Sequence, residues 1–293
     1  MQKIVPHLWF DTEAGEAAEF YTSLFDGSRI TDRTTLNDTP SGTVELITID
    51  LAGQEFMLLS AGPYFKFTPA VSFLVACNSV AEVEHLWTRL IEGGSALMPL
   101  DTYPFSERWG WVMDRFGLSW QVMFHGDLDI RQKITPTLMF VGDVYGKAEE
   151  AIHFYTSVFG DAHGGSILRY GEDEAPNQPG TIKLAAFTLE GQGFANMDNG
   201  YDHDFKFNEA ISFIVNCDTQ AEIDAFWAKL SAVPDAEQCG WLKDRYGVSW
   251  QIVPTIMNDM MQDKDPVKLA RVIQALLKMK KFDIAELKRA YEG

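Results

Sequence analysis

The chain repeats itself, and an internal repeat restricts the fold before any single residue is weighed. Ile4-Val-Pro-His-Leu-Trp-Phe10 returns as Ile134-Thr-Pro-Thr-Leu-Met-Phe140. Glu16-Ala-Ala-Glu-Phe-Tyr-Thr-Ser-Leu-Phe25 returns as Glu150-Ala-Ile-His-Phe-Tyr-Thr-Ser-Val-Phe159. Val71-Ser-Phe-Leu-Val75 returns as Ile211-Ser-Phe-Ile-Val215. Gly110-Trp-Val-Met-Asp-Arg-Phe-Gly-Leu-Ser-Trp-Gln-Val122 matches Gly240-Trp-Leu-Lys-Asp-Arg-Tyr-Gly-Val-Ser-Trp-Gln-Ile252. Four matches in one order make a tandem duplication. The expected division is a first domain over 1–128, a second over 132–255 and a tail over 256–293.

Each half also starts over internally. Apolar alternation predicts a strand over 5–10. A helix follows, with Ala14, Ala17, Ala18, Tyr21 and Phe25 on one face. Strands are predicted over 29–36, 43–51 and 54–60, with Ala52-Gly53 as the hairpin turn. The pattern then restarts with a strand over 70–77 and a helix over 79–92 opened by the Ser79/Glu82 capping box. Strands over 109–114 and 119–124 close it, so the chain holds four β-α-β-β(-β) modules. The first half carries about ten extra residues over 93–109, including Pro99, Tyr103, Pro104 and Phe105. That segment reads equally as a pocket lid or as a surface insertion. In the tail, Asp265-Pro266 and Asp283/Glu286 are helix starts. Two segments so short need a surface to pack on, whether this body or another subunit.

Charge narrows the partners. Lys plus Arg total 24 against 42 for Asp plus Glu, a net charge of −18. Such a surface repels phosphate backbones and anionic lipid, which argues against nucleic-acid and membrane partners. Asp11 and Glu13 interrupt the position of a signal peptide, and no window approaches the ~18 apolar residues of a membrane span. Three cysteines (Cys77, Cys217, Cys239) without a CxxC pair fit a reducing compartment, and a cytoplasmic location is expected.

The P-x-L-x-F opening strand, the E-x-A-x-x-F-Y-x-S-x-F helix and the closing G-W-x-x-D-R-[FY]-G-x-S-W-Q block together resemble the vicinal oxygen chelate superfamily, which includes glyoxalases, bleomycin-resistance proteins and dioxygenases. The closer resemblance is to its PhnB-like branch, described as 3-demethylubiquinone 3-methyltransferase-like, and it covers residues 1–253 twice over. The resemblance implies an α+β fold: tandem duplicated vicinal-oxygen-chelate domains built from paired β-α-β-β-β modules, plus a C-terminal helical tail. It further implies an intrachain pseudo-dimer, with a homodimer of the whole chain left open.

Enzymes of the superfamily hold a divalent metal with inward His, Glu or Gln side chains from first and last strands. Here the first half offers His7 and Gln121, with Ser72 at the next opening strand and Met57 and Leu59 where a carboxylate would sit. In the second half Thr137 replaces His7, while Ser212 and Gln251 match Ser72 and Gln121. Hydroxyls are poor neutral ligands and an amide is a weak one. The expectation is therefore no cofactor, with His7 and Gln121 as weak metal candidates. The methyltransferase label meets a further obstacle: Gly191 and Gly193 lie between two β runs, not between a strand and a helix where a nucleotide cofactor would be cradled.

The function expected from these residues is binding of a small, apolar or aromatic molecule without metal chemistry and without methyl transfer. The expected pocket residues are His7, Trp9, Trp111 and Gln121 in the first half, with Met139, Trp241 and Gln251 in the second. The alternative is a metal-dependent lyase, isomerase or dioxygenase using the first-half cleft. A third reading is a regulatory module that engages a partner through its tail.

Overall fold

β1 (Ile4–Phe10) buries nearly every side chain, on both its faces, as a strand in the middle of a covered sheet must. It opens the first of four modules in the computed structural model, which describes residues 1–39, 42–126, 129–263 and 265–293. The expected domain boundary at residue 128 lies outside the described residues. The first module continues with α1 (Ala14–Thr22), β2 (Arg29–Thr39), β3 (Gly42–Leu51) and β4 (Gln54–Ser60). The second holds β5 (Val71–Cys77), α2 (Val80–Ile91), β6 (Ser95–Tyr103), β7 (Ser106–Met113) and β8 (Ser119–Phe124). The third is β9 (Ile134–Phe140), α3 (Ala148–Val158), β10 (His163–Arg169), β11 (Ile182–Leu189) and β12 (Gln192–Asp198). The fourth is β13 (Ile211–Cys217), α4 (Gln220–Leu230), β14 (Trp241–Lys243) and β15 (Ser249–Pro254), followed by α5 (Ile256–Met261), α6 (Pro266–Leu276) and α7 (Ile284–Glu292).

The modules pair across the duplication. One sheet has the order β14-β15-β13-β1-β4-β3-β2, the other β10-β11-β12-β9-β5-β8-β7-β6. β1 runs antiparallel to β13, with His7 opposite Ser212, and β5 runs antiparallel to β9, with Ser72 opposite Thr137. The chain accordingly forms two compact units, one of Met1–Ser23, Gly27–Phe65 and Asn208–Gly293, the other of Leu24–Asp26 and Lys66–Phe207. The sequence repeats and the compact units are thus different divisions of the chain. Within the first unit α1 packs on β3 and β4 and α4 on β15; within the second α2 packs on β7 and β8 and α3 on β11 and β12. One face of each sheet is left to the alternate side chains of its strands.

Local chemistry explains the boundaries. Glu13 gives α1 no side-chain cap, and the hydroxyl of Ser60 on β4 accepts from the backbone N–H of Ala14 instead, at 3.0 Å. In the third module Asp198 takes that role, accepting from Gly146 and Ala148 at 2.8 and 3.2 Å and from Ile182 at 2.9 Å. Ala52-Gly53 turns with φ of 50° and 84°, the left-handed pair a tight hairpin needs. The predicted N-caps Ser79, Asp265 and Asp283 all accept backbone N–H bonds.

The long block shared by both repeats is a structural turn. Asp114 accepts from the backbone N–H of Phe116 and Leu118 at 2.9 and 3.0 Å and from the Trp120 indole at 2.9 Å. Asp244 does the same for Tyr246, Val248 and Trp250 at 2.9, 3.1 and 2.9 Å. Trp120 and Trp250 are thereby fixed as fully buried core side chains.

The insertion forms a largely exposed strand, in keeping with the surface-insertion reading. Its residues form β6, an edge strand antiparallel to β7 with three register shifts, and an edge is where prolines such as Pro99 are tolerated. Among the described residues the first unit has no counterpart to β6, and the tail takes that edge. The N–H groups of Cys239 and Gly240 donate to the carbonyls of Met279 and Lys280 at 2.8 and 2.7 Å. Met257, Met260, Val272, Phe282 and Leu287 bury together behind this contact. Among the described residues, no helix is long and apolar enough to cross a membrane.

Candidate functional site

Strand register places one row of side chains across the open face of the first unit: Ser249, Ser212, His7, Met57, Thr48 and Asp32, on β15, β13, β1, β4, β3 and β2 in turn. A cavity of about 650 Å³ lies over this face, and every residue lining it belongs to the first unit. His7, Trp9, Trp241 and Gln251 line it, as do Met57 and Leu59. Its remaining wall comes from the tail, including Met257, Leu276, Leu277 and Phe282.

His7 is 2% exposed, and its Nδ1 makes no hydrogen bond. Burial pushes its pKa down to about 3, so the ring is neutral at physiological pH. The Trp241 ring meets it edge-on with centroids 5.4 Å apart, and Trp9 meets Trp241 at 6.1 Å. Trp9 is held by its indole N–H, which donates to the Gly62 carbonyl at 2.9 Å. Gln251 donates from Nε2 to the Ser212 hydroxyl at 3.0 Å. The cavity is thus a largely apolar, aromatic chamber with a few oriented polar groups, as small-molecule sites are. Carboxylates also line it, from Asp32, Glu55 and Asp259, and burial raises the pKa of Glu55.

The three other expected pocket residues lie in the second unit. Gln121 donates to the Ser72 hydroxyl at 2.9 Å, as Gln251 does to Ser212. Trp111 donates from its indole N–H to the Ser119 hydroxyl at 2.7 Å. Trp111 and Met139 bury with Trp109 and Val141, packed against Tyr103, Met123, Met197 and Phe205. Bulky side chains occupy this face, and the second repeat carries Cys239 where the first has Trp109.

Grouping the residues by half therefore needs correction. His7 and Gln121 are on different sheets and in different compact units. The cavity is not a first-half cleft, because β13 and β15 of the second half supply the neighbours of β1. The sidedness of Asp198 matters here too: it is the carboxylate on β12, but it faces the start of α3 and is spent on three backbone N–H groups. The donors near His7 are a thioether, hydroxyls and one amide. With one imidazole and no carboxylate beside it in the row, this set does not fit a divalent cation of the kind the superfamily's enzymes use. Among the described residues, no three of His, Cys, Asp and Glu gather in a metal-binding group. Gly191 and Gly193 sit in the β11–β12 hairpin, far in character from a phosphate-cradling loop. The tail residues lining the cavity carried a sequence signal, the apolar face of α6, but nothing in that face said what it covers.

A model of the 3-demethylubiquinone-9 3-methyltransferase family matches residues 2–123 and again residues 132–253. Among solved structures, the PhnB protein of Bacillus cereus is 39% identical over 42% of this chain and 99% of its own, with a TM-score of 0.40. Protein PA1353 of Pseudomonas aeruginosa is 27% identical over 43% of this chain and 100% of its own, with a TM-score of 0.39. Glyoxalase I of Zea mays is 12% identical over 88% of this chain and 96% of its own, with a TM-score of 0.53, a likeness of fold. No curated protein matches the chain.

Proposed function

The chain belongs to the 3-demethylubiquinone-9 3-methyltransferase family, the PhnB-like branch of the vicinal oxygen chelate superfamily, in tandem duplicate, and on that premise we propose that it binds one small, mainly apolar or aromatic molecule per chain in the first unit's cavity, with neither a metal ion nor methyl transfer. The observation that carries this reading is the cavity of about 650 Å³, walled largely by apolar and aromatic side chains, in which uncharged His7 and Gln251 accompany Trp9 and Trp241. Its volume suits a drug-sized or smaller ligand. Trp9 and Trp241 offer ring edges and faces, and His7 lines the cavity as a neutral imidazole.

The donor chemistry around His7 supports the metal-free part, and the hairpin setting of Gly191 and Gly193 supports the exclusion of methyl transfer. A cytoplasmic location belongs to the same reading, on the cysteine usage. A thermal-shift screen of neutral aromatic compounds, run on the wild type and on Leu59→Trp, tests it. Compounds that raise the melting temperature of the wild type alone are expected. Shifts of equal size in both proteins, or none in either, would refute the assignment of the site.

A further inference from the structure

The described residues lining the cavity are unevenly charged. Asp32, Glu55 and Asp259 are carboxylates, whereas the cation among them is the amino terminus of Met1, close enough to Glu55 to oppose the rise in its pKa. Asp32 is fixed in place, since Thr34 donates from its hydroxyl to Oδ2 at 3.0 Å. It stands in the same row as His7, three strands away across β4, β3 and β2. At the spacing of neighbouring strands that is ~14 Å along the sheet. His7 marks one end of this arc and Asp32 the other, while Glu55 lies between them on β4, two residues before Met57.

We infer that the cavity selects an elongated aromatic amine, its ring against Trp9 and Trp241 beside His7 and its ammonium group toward Glu55 on β4 and, beyond it, Asp32 on β2, and that it discriminates against carboxylates and phosphates of the same shape. This rests on the cavity being the ligand site. The apolar floor removes water from the ring, and a poorly hydrated wall strengthens the attraction between an ammonium group and the carboxylates. An anion in the same pose meets these carboxylates with only the amino terminus of Met1, and no lysine or arginine among the described lining residues, to answer it.

Three probes with one body separate charge from fit: 4-phenylbutylamine, 4-phenylbutan-1-ol and 4-phenylbutanoate. Their affinities are measured by calorimetry at pH 7.5 on the full chain, its Asp32→Asn and Glu55→Gln variants, and the double variant. The amine is expected to bind at least tenfold more tightly than the butanoate, with the alcohol between them. In the double variant that preference should fall below threefold while the alcohol's affinity holds, which also reports an intact cavity. A butanoate that binds as tightly as the amine, or a preference the double variant keeps, overturns the charge selection and leaves the binding site standing. Failure of all three probes on the wild type overturns the site and the selection together.

Discussion

Trp111 donates its indole hydrogen to the hydroxyl of Ser119 at 2.7 Å, whereas the equivalent Ser249 hydroxyl is buried with no partner. The equivalent indole, Trp241, packs edge-on against His7. One sequence pair, W-x-x-D-R-[FY]-G-x-S-W, thus does two jobs. In the second unit the tryptophan is tied into a packed cluster; in the first it forms a cavity wall. Ser119→Ala should cost about 1 kcal/mol, because it leaves the buried Trp111 N–H without an acceptor. Ser249→Ala should cost nothing measurable or stabilise slightly. Urea denaturation of the two variants checks the difference, and equal losses would contradict it.

Asp114 and Asp244 each satisfy two backbone N–H groups and one buried indole. Replacing either with Ala should destabilise the chain by about 3 kcal/mol or more, the range for breaking a buried hydrogen-bond network. Urea midpoints measure the loss. These residues lie in the longest block shared by the two repeats, yet their role is to shape a turn. A variant that folds normally would refute that role.

Gly240 has φ of 83°, and a side-chain carbon added there would lie 2.5 Å from the Phe282 ring. Gly110, its counterpart, would meet Trp87 at 2.5 Å and the backbone of Leu100 on β6 at 3.0 Å. Each glycine makes room for the segment that covers its edge, the tail in one unit and β6 in the other. Gly240→Ala should cost about 2 kcal/mol through strain and overpacking. Circular dichroism melts should show the loss, together with faster proteolysis of the tail. A melt identical to wild type would contradict the close approach.

His7 gives the stability of the protein an acid slope. Its pKa is near 6.5 in the unfolded chain and about 3 when folded. Between those values the unfolded chain holds a proton at this position that the folded chain refuses. Stability therefore falls as the pH falls below 6.5, by up to ~1.4 kcal/mol per pH unit from this residue. His7→Gln removes the term. Between pH 6.5 and 5 the wild type should lose about 2 kcal/mol more than the variant in urea titrations. Parallel losses would mean that the ring is not buried as described.

Much of the fold was legible in the sequence. The repeat, the four modules, the Ala52-Gly53 turn and the helix caps follow from local pattern and turn chemistry, and the structure has each of them. The pairing of modules was not legible, for a physical reason. β5 and β13 carry nearly the same residues, Val71-Ser-Phe-Leu-Val75 and Ile211-Ser-Phe-Ile-Val215, so β1 presents the same apolar match to either. The choice of β13 put Gln251, not Gln121, in the cavity that His7 lines. The insertion's place in the sheet was not legible either, because its prolines break strand patterning, while a register-shifted edge strand accepts them. Cavity against packed cluster turned on Cys239 against Trp109 and on the destination of the tail, and only the second is invisible to periodicity.

The most direct measurement is a crystal of the protein soaked with 4-(4-bromophenyl)butan-1-ol, with the bromine located by its anomalous scattering. One site per chain is predicted, against Trp9 and Trp241 in the first unit's cavity. Bromine lodged instead among Trp109, Trp111 and Met139, or absent from the His7 cavity at saturating probe, would contradict the account.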